Sequence, residues 1–315
     1  MRPGDGQEVT RLWSKILPDT ENWADWLPGV IDTLLEKFQV IGGVLMVEGP
    51  KPRCVAIGLS CFLPDEIATD YASNPRAYLN RRLLTRYRDG DQSVFLTREQ
   101  QALGNSGDGL EMFVLEYYQE TFDFTDDWAH QMLNSIVPVY HSVHRGFNIK
   151  RSMHETEMAV GHIQLAGGNP MMFEVSPQDP FSLSPDAGGP RAVYGVSRDG
   201  AASEPATGIS KVLLYYTPPE IRLNLRQQEI VLLALEDLTD VEIAERLGIS
   251  RDGVRQHWRA IYDRFEDVKP EFYDRLENGS GKATRGGEKR RQTLSFLDSR
   301  PQELRPYRTR ENRSS

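Results

Sequence analysis

Residues 240–265 read DVEIAERLGISRDGVRQHWRAIYDRF, and this stretch decides the C-terminal fold. Ala244, Gly248 and Val254 stand at offsets of four and then six. Two short helices joined by a tight turn need that spacing. The small residue lets the helices approach closely. The glycine takes a left-handed turn conformation that other residues resist. The branched apolar residue then seats the second helix on the first. Ile243, Leu247 and Ile249 complete a small core, and Ser250, just before Arg251, is a preferred N-cap.

The second helix sorts by face. Val254, Trp258, Ile261, Tyr262 and Phe265 recur at three- and four-residue steps and form a stripe to be buried. Arg251, Arg255, Gln256 and Arg259 fall on the other side. Arginine forks onto the O6 and N7 acceptors of guanine, and glutamine pairs with adenine, in a groove wide enough for a helix. A charge run alone is usually a solvated face. The joint pattern of Ala, Gly, Val, capping Ser and arginine face points instead to double-stranded DNA.

These residues resemble the LuxR-type (GerE-like) helix-turn-helix domain. The resemblance runs through Leu223, Glu229, Leu238, Glu242-Ile243-Ala244, Leu247-Gly248-Ile249-Ser250, Val254-Arg255, His257 and Ile261-Tyr262, about a sixth of the chain. It implies an all-α DNA-binding domain whose recognition helix enters the major groove. By position, Arg255, Gln256 and Arg259 would read bases; Arg251 and Thr239 would touch phosphate, with Ser250 at the cap between. The sequence departs from the family pattern at several places. Leu225 replaces a proline, Asp237 a glycine, and Gly253 a threonine, and one residue is inserted near Glu266-Asp267. The fourth helix, through which family members often pair, is short here (Pro270 to about Leu276), and a homodimer stays open.

At 315 residues the chain has length for two domains. No apolar run is long enough to span a bilayer, and the start, MRPGDGQEV, lacks a signal-peptide core, so a cytoplasmic protein without membrane contact is expected. Cys54 and Cys61, seven apart in one strand-like run, would point to opposite faces of a regular strand and remain free thiols. The net charge is −9, which looks wrong for a DNA binder until it is divided. From Arg275 onward 11 Lys and Arg face 5 Asp and Glu, whereas residues 1–274 hold 26 against 41. An acidic first domain lowers non-specific attraction to phosphate.

Upstream, Trp23, Trp26, Leu27, Val30, Ile31, Leu34, Leu35 and Phe38 keep helical spacing, with Pro28-Gly29 as a kink. Strands are expected at Val40–Val47 and Cys54–Phe62, joined by a proline-stiffened turn, and again at Ser93–Leu96 and Leu110–Tyr118 with a glycine-rich loop, Gly104 to Gly109, between them. Helices are expected at Pro64–Tyr71, Pro75–Tyr87 and from Thr125 to about Glu155. This order gives an α+β N-terminal domain, an antiparallel sheet with helices, over residues 1–155; GAF-type sensor modules share the order. Residues 156–216 form a β-containing extension and linker, with strand candidates at Met171–Val175, Arg191–Val196 and Lys211–Tyr216. The helix-turn-helix domain follows over 217–277. A basic tail over 278–315 is either disordered or holds a short amphipathic helix in which Leu294, Phe296 and Leu297 are the apolar positions.

Other chemistry is poorly supported. His130, His141, His144 and His154 fall in the expected helical region without an HExxH arrangement, so no metal or cofactor is expected. Trp13, Trp23 and Trp26 with Tyr117 and Tyr118 either line a ligand pocket or build ordinary core, and helical spacing favours core. The run GNSGDG lacks the Lys-Ser/Thr pair of a phosphate loop. There is no receiver-domain frame of acidic residues and no G-x-S-x-G nucleophile turn. The sequence therefore reads as a non-enzymatic transcription regulator whose first domain senses a small molecule or protein partner. The alternative is an acyltransferase-like enzyme or acyl-binding module with an accessory helix-turn-helix.

Overall fold

The computed structural model describes residues 1, 3–16, 22–50, 52–157, 170–173, 179, 181, 191–203, 209–274 and 285–308. The chain forms two compact units. The first comprises Met1–Gln100, Asp108–Arg145 and Ile149–Tyr215; the second comprises Gln101–Gly107, Gly146–Asn148 and Tyr216–Ser315. Among the described residues no helix is long and apolar enough to cross a membrane.

The first unit is built on a six-stranded sheet in the order β1-β2-β3-β4-β6-β5. The strands are β1 Val40–Val47, β2 Arg53–Leu63, β3 Leu110–Gln119, β4 Ile149–Glu157, β5 Pro170–Phe173 and β6 Arg191–Ser197. The helices are α1 Gly6–Trp13, α2 Trp23–Glu36, α3 Asp65–Ser73, α4 Leu79–Arg88, α5 Arg98–Ser106 (shared with the second unit), α6 Asp127–His144 and α7 Arg198–Ser203. Helices cover both faces of the sheet. On one face Leu12 and Trp13 of α1 and Leu27, Ile31 and Leu34 of α2 pack with Ile57, Leu59, Cys61 and Leu63 of β2. On the other lies α6. A Cβ added to Gly43 of β1 would stand 2.3 Å from Val139 Cγ1, so only a glycine lets α6 sit this close. The tryptophans expected either in a pocket or in core, Trp13 and Trp23, are buried in this cluster.

The expectation of an antiparallel sheet needs correction. β3 and β4 pair in parallel, Phe113 opposite Met153, while the other neighbours are antiparallel. The cause is α6, which carries the chain from the end of β3 back to the start of β4; a crossover of that length joins parallel strands. β4 also replaces the end of the helix expected to run to Glu155. Its sequence, IKRSMHETE, lacks the alternation of a half-buried strand because ion pairs stand in for apolar contacts. Arg151 Nε donates to Glu111 Oε2 at 2.7 Å, and Arg191 Nε donates to Glu155 Oε1 at 2.6 Å.

Smaller differences have local causes. The strand expected at Ser93–Leu96 is a turn of 3₁₀ helix over Gln92–Val94, with the Asp91 carboxylate accepting from Ser93 N at 3.1 Å. The glycine-rich stretch from Gly104 begins inside α5 rather than in a loop. Lys211–Tyr216 is not a strand; a 3₁₀ helix covers Ile209–Leu214. Cys54 and Cys61 are free and buried, but both reach the same cluster rather than opposite faces. The ladder passes from Leu45↔Ala56 to Met46↔Cys54, so Val55 is an extra residue that reverses the alternation. Much of the expected loops Ser176–Pro190 and Ser197–Gly208, and of the linker from Glu277, lies outside the described residues.

The second unit is helical: α8 Leu225–Leu235, α9 Asp240–Leu247, α10 Arg251–Val268 and α11 Arg285–Asp298, followed by a 3₁₀ turn over Pro301–Leu304. Ile230, Val231, Ile243, Val254, Trp258, Ile261 and Phe265 form its centre, and Leu297 and Leu304 from the tail are buried in the same cluster. The tail is thus part of this core. Buried Glu303 accepts hydrogen bonds from Glu220 N (2.8 Å) and Ile221 N (2.9 Å). Asn105 Nδ2 donates to the Pro306 carbonyl at 2.7 Å, and Asn148 N donates to Asn105 Oδ1 at 2.8 Å.

Candidate nucleic-acid interface

Three caps fix the geometry of α8, α9 and α10. Asn224 and Gln227 form a reciprocal capping box at the start of α8. Thr239 and Glu242 form another at α9, where Thr239 N donates to Glu242 Oε2 at 2.7 Å. Ser250 Oγ accepts from Gly253 N at 3.0 Å and starts α10. Between α9 and α10 the chain turns at Gly248, with φ +63°, and Ile249 N closes the turn onto the Ala244 carbonyl at 3.0 Å. Asp237 holds a left-handed φ of +63° as well, at the position where the resemblance leads one to expect glycine.

The faces of α10 separate by burial. Val254, Trp258, Ile261 and Phe265 are buried. Arg251, Arg255, Gln256 and Arg259 are exposed along one side, and Thr239 and Ser250 are exposed at the two caps. The side chains of Arg251, Gln256 and Arg259 have no hydrogen-bond partner among the described residues. Arg255 Nη1 donates to Asp252 Oδ1 at 3.2 Å, and these side chains are 51% and 81% exposed. An exposed i,i+3 pair of this kind is worth about 0.5 kcal/mol or less. A bidentate contact to a base is worth about 1–3 kcal/mol. The arginine can therefore exchange its intrahelical partner for a base edge.

Charge divides α10 along its length. Residues 251–260 carry three arginines against Asp252, whereas 261–268 carry Asp263, Glu266 and Asp267 against Arg264. Arg264 is held in place, its Nε donating to the Ile221 carbonyl at 2.8 Å. The half of the helix next to its N-terminus is thus the cationic half, and the N-terminal backbone amides add to the same field. His257 is kept below the usual imidazole range, first by desolvation and then by Arg226, and adds no charge near neutral pH.

One guanidinium that sequence reading passed over braces this site. Arg290 of α11 pairs with Asp240 Oδ1 at 2.6 Å and lies over the Trp258 ring at 4.5 Å. It connects the start of α9 to the buried face of α10. Lys289 adds a contact to Glu266 at 2.8 Å, and Tyr273 Oη meets Thr293 Oγ1 at 2.7 Å in the interior. The amphipathic spacing of Leu294, Phe296 and Leu297 signals a helix, but nothing in it names the surface on which that helix lands.

Among the described residues no group of three or more His, Cys, Asp or Glu side chains is placed to hold a metal ion. Of the histidines expected on one helix, His144 ends α6 with Nδ1 2.6 Å from the Tyr140 carbonyl, while His154 is on β4. No protein-family model matches the chain, and no curated protein matches it in sequence.

Proposed function

We propose that this protein is a cytoplasmic, sequence-specific DNA-binding transcription regulator of LuxR type, and that its first unit senses a small molecule. The observation that carries the reading is the exposed row Arg251, Arg255, Gln256 and Arg259 on a helix whose opposite face is fully buried and whose entry is fixed by Ser250 and Gly248. Arg255, Gln256 and Arg259 read base edges, Arg251 and Thr239 sit against phosphate, and Ser250 sets the angle of entry. Ligand binding shifts the population between arrangements that do and do not bind DNA. Pairing of two copies on a symmetric site is part of the proposal.

The test is selection of bound duplexes from a random pool by the full chain, at low and at physiological salt. An enriched motif that the Arg255→Ala variant no longer enriches supports the reading, and inverted symmetry in that motif supports a dimer. No duplex affinity at low ionic strength, or equal enrichment by the variant, overturns it.

A further inference from the structure

We infer that the corner between α3 and α4 in the first unit is a binding site for a small carboxylic acid with an apolar body. This deepens the sensing half of the proposed function and rests on it. The corner encloses a cavity of about 350 Å³. That is at the small end of the range for ligand pockets, about 300–1,000 Å³. Its walls are mostly apolar: Ile67, Tyr71, Leu79, Leu83 and Phe181.

The corner is held from beneath by one buried carboxylate. Glu155 of β4 accepts from Tyr71 Oη (2.8 Å), Tyr78 N (2.7 Å), Leu79 N (3.0 Å) and Arg191 Nε (2.6 Å). These bonds tie the end of α3, the start of α4 and the sheet together. Tyr78 accepts a left-handed φ of +63° there, and the Arg81 and Arg191 guanidiniums lie 4.3 and 4.6 Å from its ring centre. The cavity is therefore preformed, which lowers the cost of ordering it around a ligand.

The polar groups on its wall are mainly donors. Arg76 is exposed and has no hydrogen-bond partner among the described residues. Arg82 uses Nε on the Ala77 carbonyl and Nη2 on Asp179. Arg86 uses Nε and Nη2 on Asp91. Each keeps Nη1 for another acceptor. The lining holds one carboxylate, Asp70, and Asp179 and Asp91 neutralise Arg82 and Arg86, which leaves Arg76 as the guanidinium that can meet the charge of a ligand. An acid with an aromatic or short aliphatic body matches both the donors and the walls.

The experiment is calorimetric titration of the full chain with 3-phenylpropionate, with hexanoate and with the neutral 3-phenylpropanamide. The variants are Arg76→Ala and Leu79→Trp. Arg76 is exposed, so its variant should fold; Leu79→Trp fills the cavity. Saturable binding of at least one acid is expected. That acid should bind at least about tenfold more weakly to Arg76→Ala, and the amide should bind more weakly than the phenyl acid by a similar factor. Leu79→Trp should abolish binding. The inference is overturned if neither acid binds saturably, if acid and amide bind alike, or if the variants bind as wild type. Duplex binding by the same preparations, followed by fluorescence anisotropy, is a separate readout. Duplex binding without acid binding removes this site, and acid binding without duplex binding removes the regulator.

Discussion

Arg251 and Arg255 are one turn apart on α10, yet they carry different expectations. In the proposed reading Arg251, beside the Ser250 cap, sits against phosphate. Its change to alanine should weaken all duplexes alike and reduce the slope of log affinity against log salt by about 1. In the same reading Arg255 meets a base. Its change to alanine should cost about 1–3 kcal/mol on the selected site and relax preference at one position, as read by anisotropy on single-base variants. Loss of slope without loss of preference in Arg255→Ala would exchange the two roles. Gly248 tests the turn. A Cβ there meets nothing within 4 Å, so the cost of Gly248→Ala is conformational, about 1–2 kcal/mol at φ +63°, measured by denaturant unfolding. Glu116 of β3 behaves differently, because burial raises its carboxyl from 4.5 to about 7 against the pull of Arg81 and Arg191. The folded chain thus holds that proton more tightly than the unfolded one. Its contribution to stability is complete below pH 4.5 and is lost as pH rises through about 7. Melts across that window should show the decline, with a slope of at most about 1.4 kcal/mol per pH unit, and Glu116→Gln should flatten it.

Among the elements, those with apolar periodicity could be read from the sequence. Val40–Val47 is β1 as expected, and β2, β3, α2 and α10 lie within a few residues of their expected places. Where charge replaces the apolar pattern, the reading fails. Ile149–Glu157 is a strand inside the sheet, yet Arg151 and Glu155 find their partners on β3 and β6, far away in sequence, and local spacing cannot contain that information. The candidate interface was legible for the opposite reason. Its residues all sit on one helix and one turn, so spacing alone places Arg251, Arg255, Gln256 and Arg259 on a common side. The cavity between α3 and α4 was not legible, since it depends on a carboxylate contributed by β4. The role of α11 was half legible, as a helix but not as core. Leu297 is 0% exposed, and Leu297→Ala should lower the unfolding free energy by about 2–5 kcal/mol, seen as an earlier melt of the second unit. A loss below about 0.5 kcal/mol would mean the tail helix is not part of that core.

For the whole molecule, charge is divided as sharply as fold. Residues 1–274 hold 26 Lys and Arg against 41 Asp and Glu, and 11 basic residues against 5 acidic follow. Non-specific attraction to DNA then depends on a few local cations rather than on net charge. If three arginines displace counterions, random-duplex affinity should fall on the order of tens-fold for a fourfold rise in salt, from direct titration. A flat dependence would mean that these side chains stand clear of phosphate.

The second unit is also discontinuous along the chain. Asn105, which donates to the Pro306 carbonyl, and Asn148, which bonds to Asn105, come from stretches that enter it from far upstream. A gene fragment starting at the prolines 218 and 219 would encode every helix from α8 onward and still lack both amides. Anyone grafting α9 and α10 onto another scaffold must therefore also transplant two asparagines that an excision beginning at those prolines leaves behind.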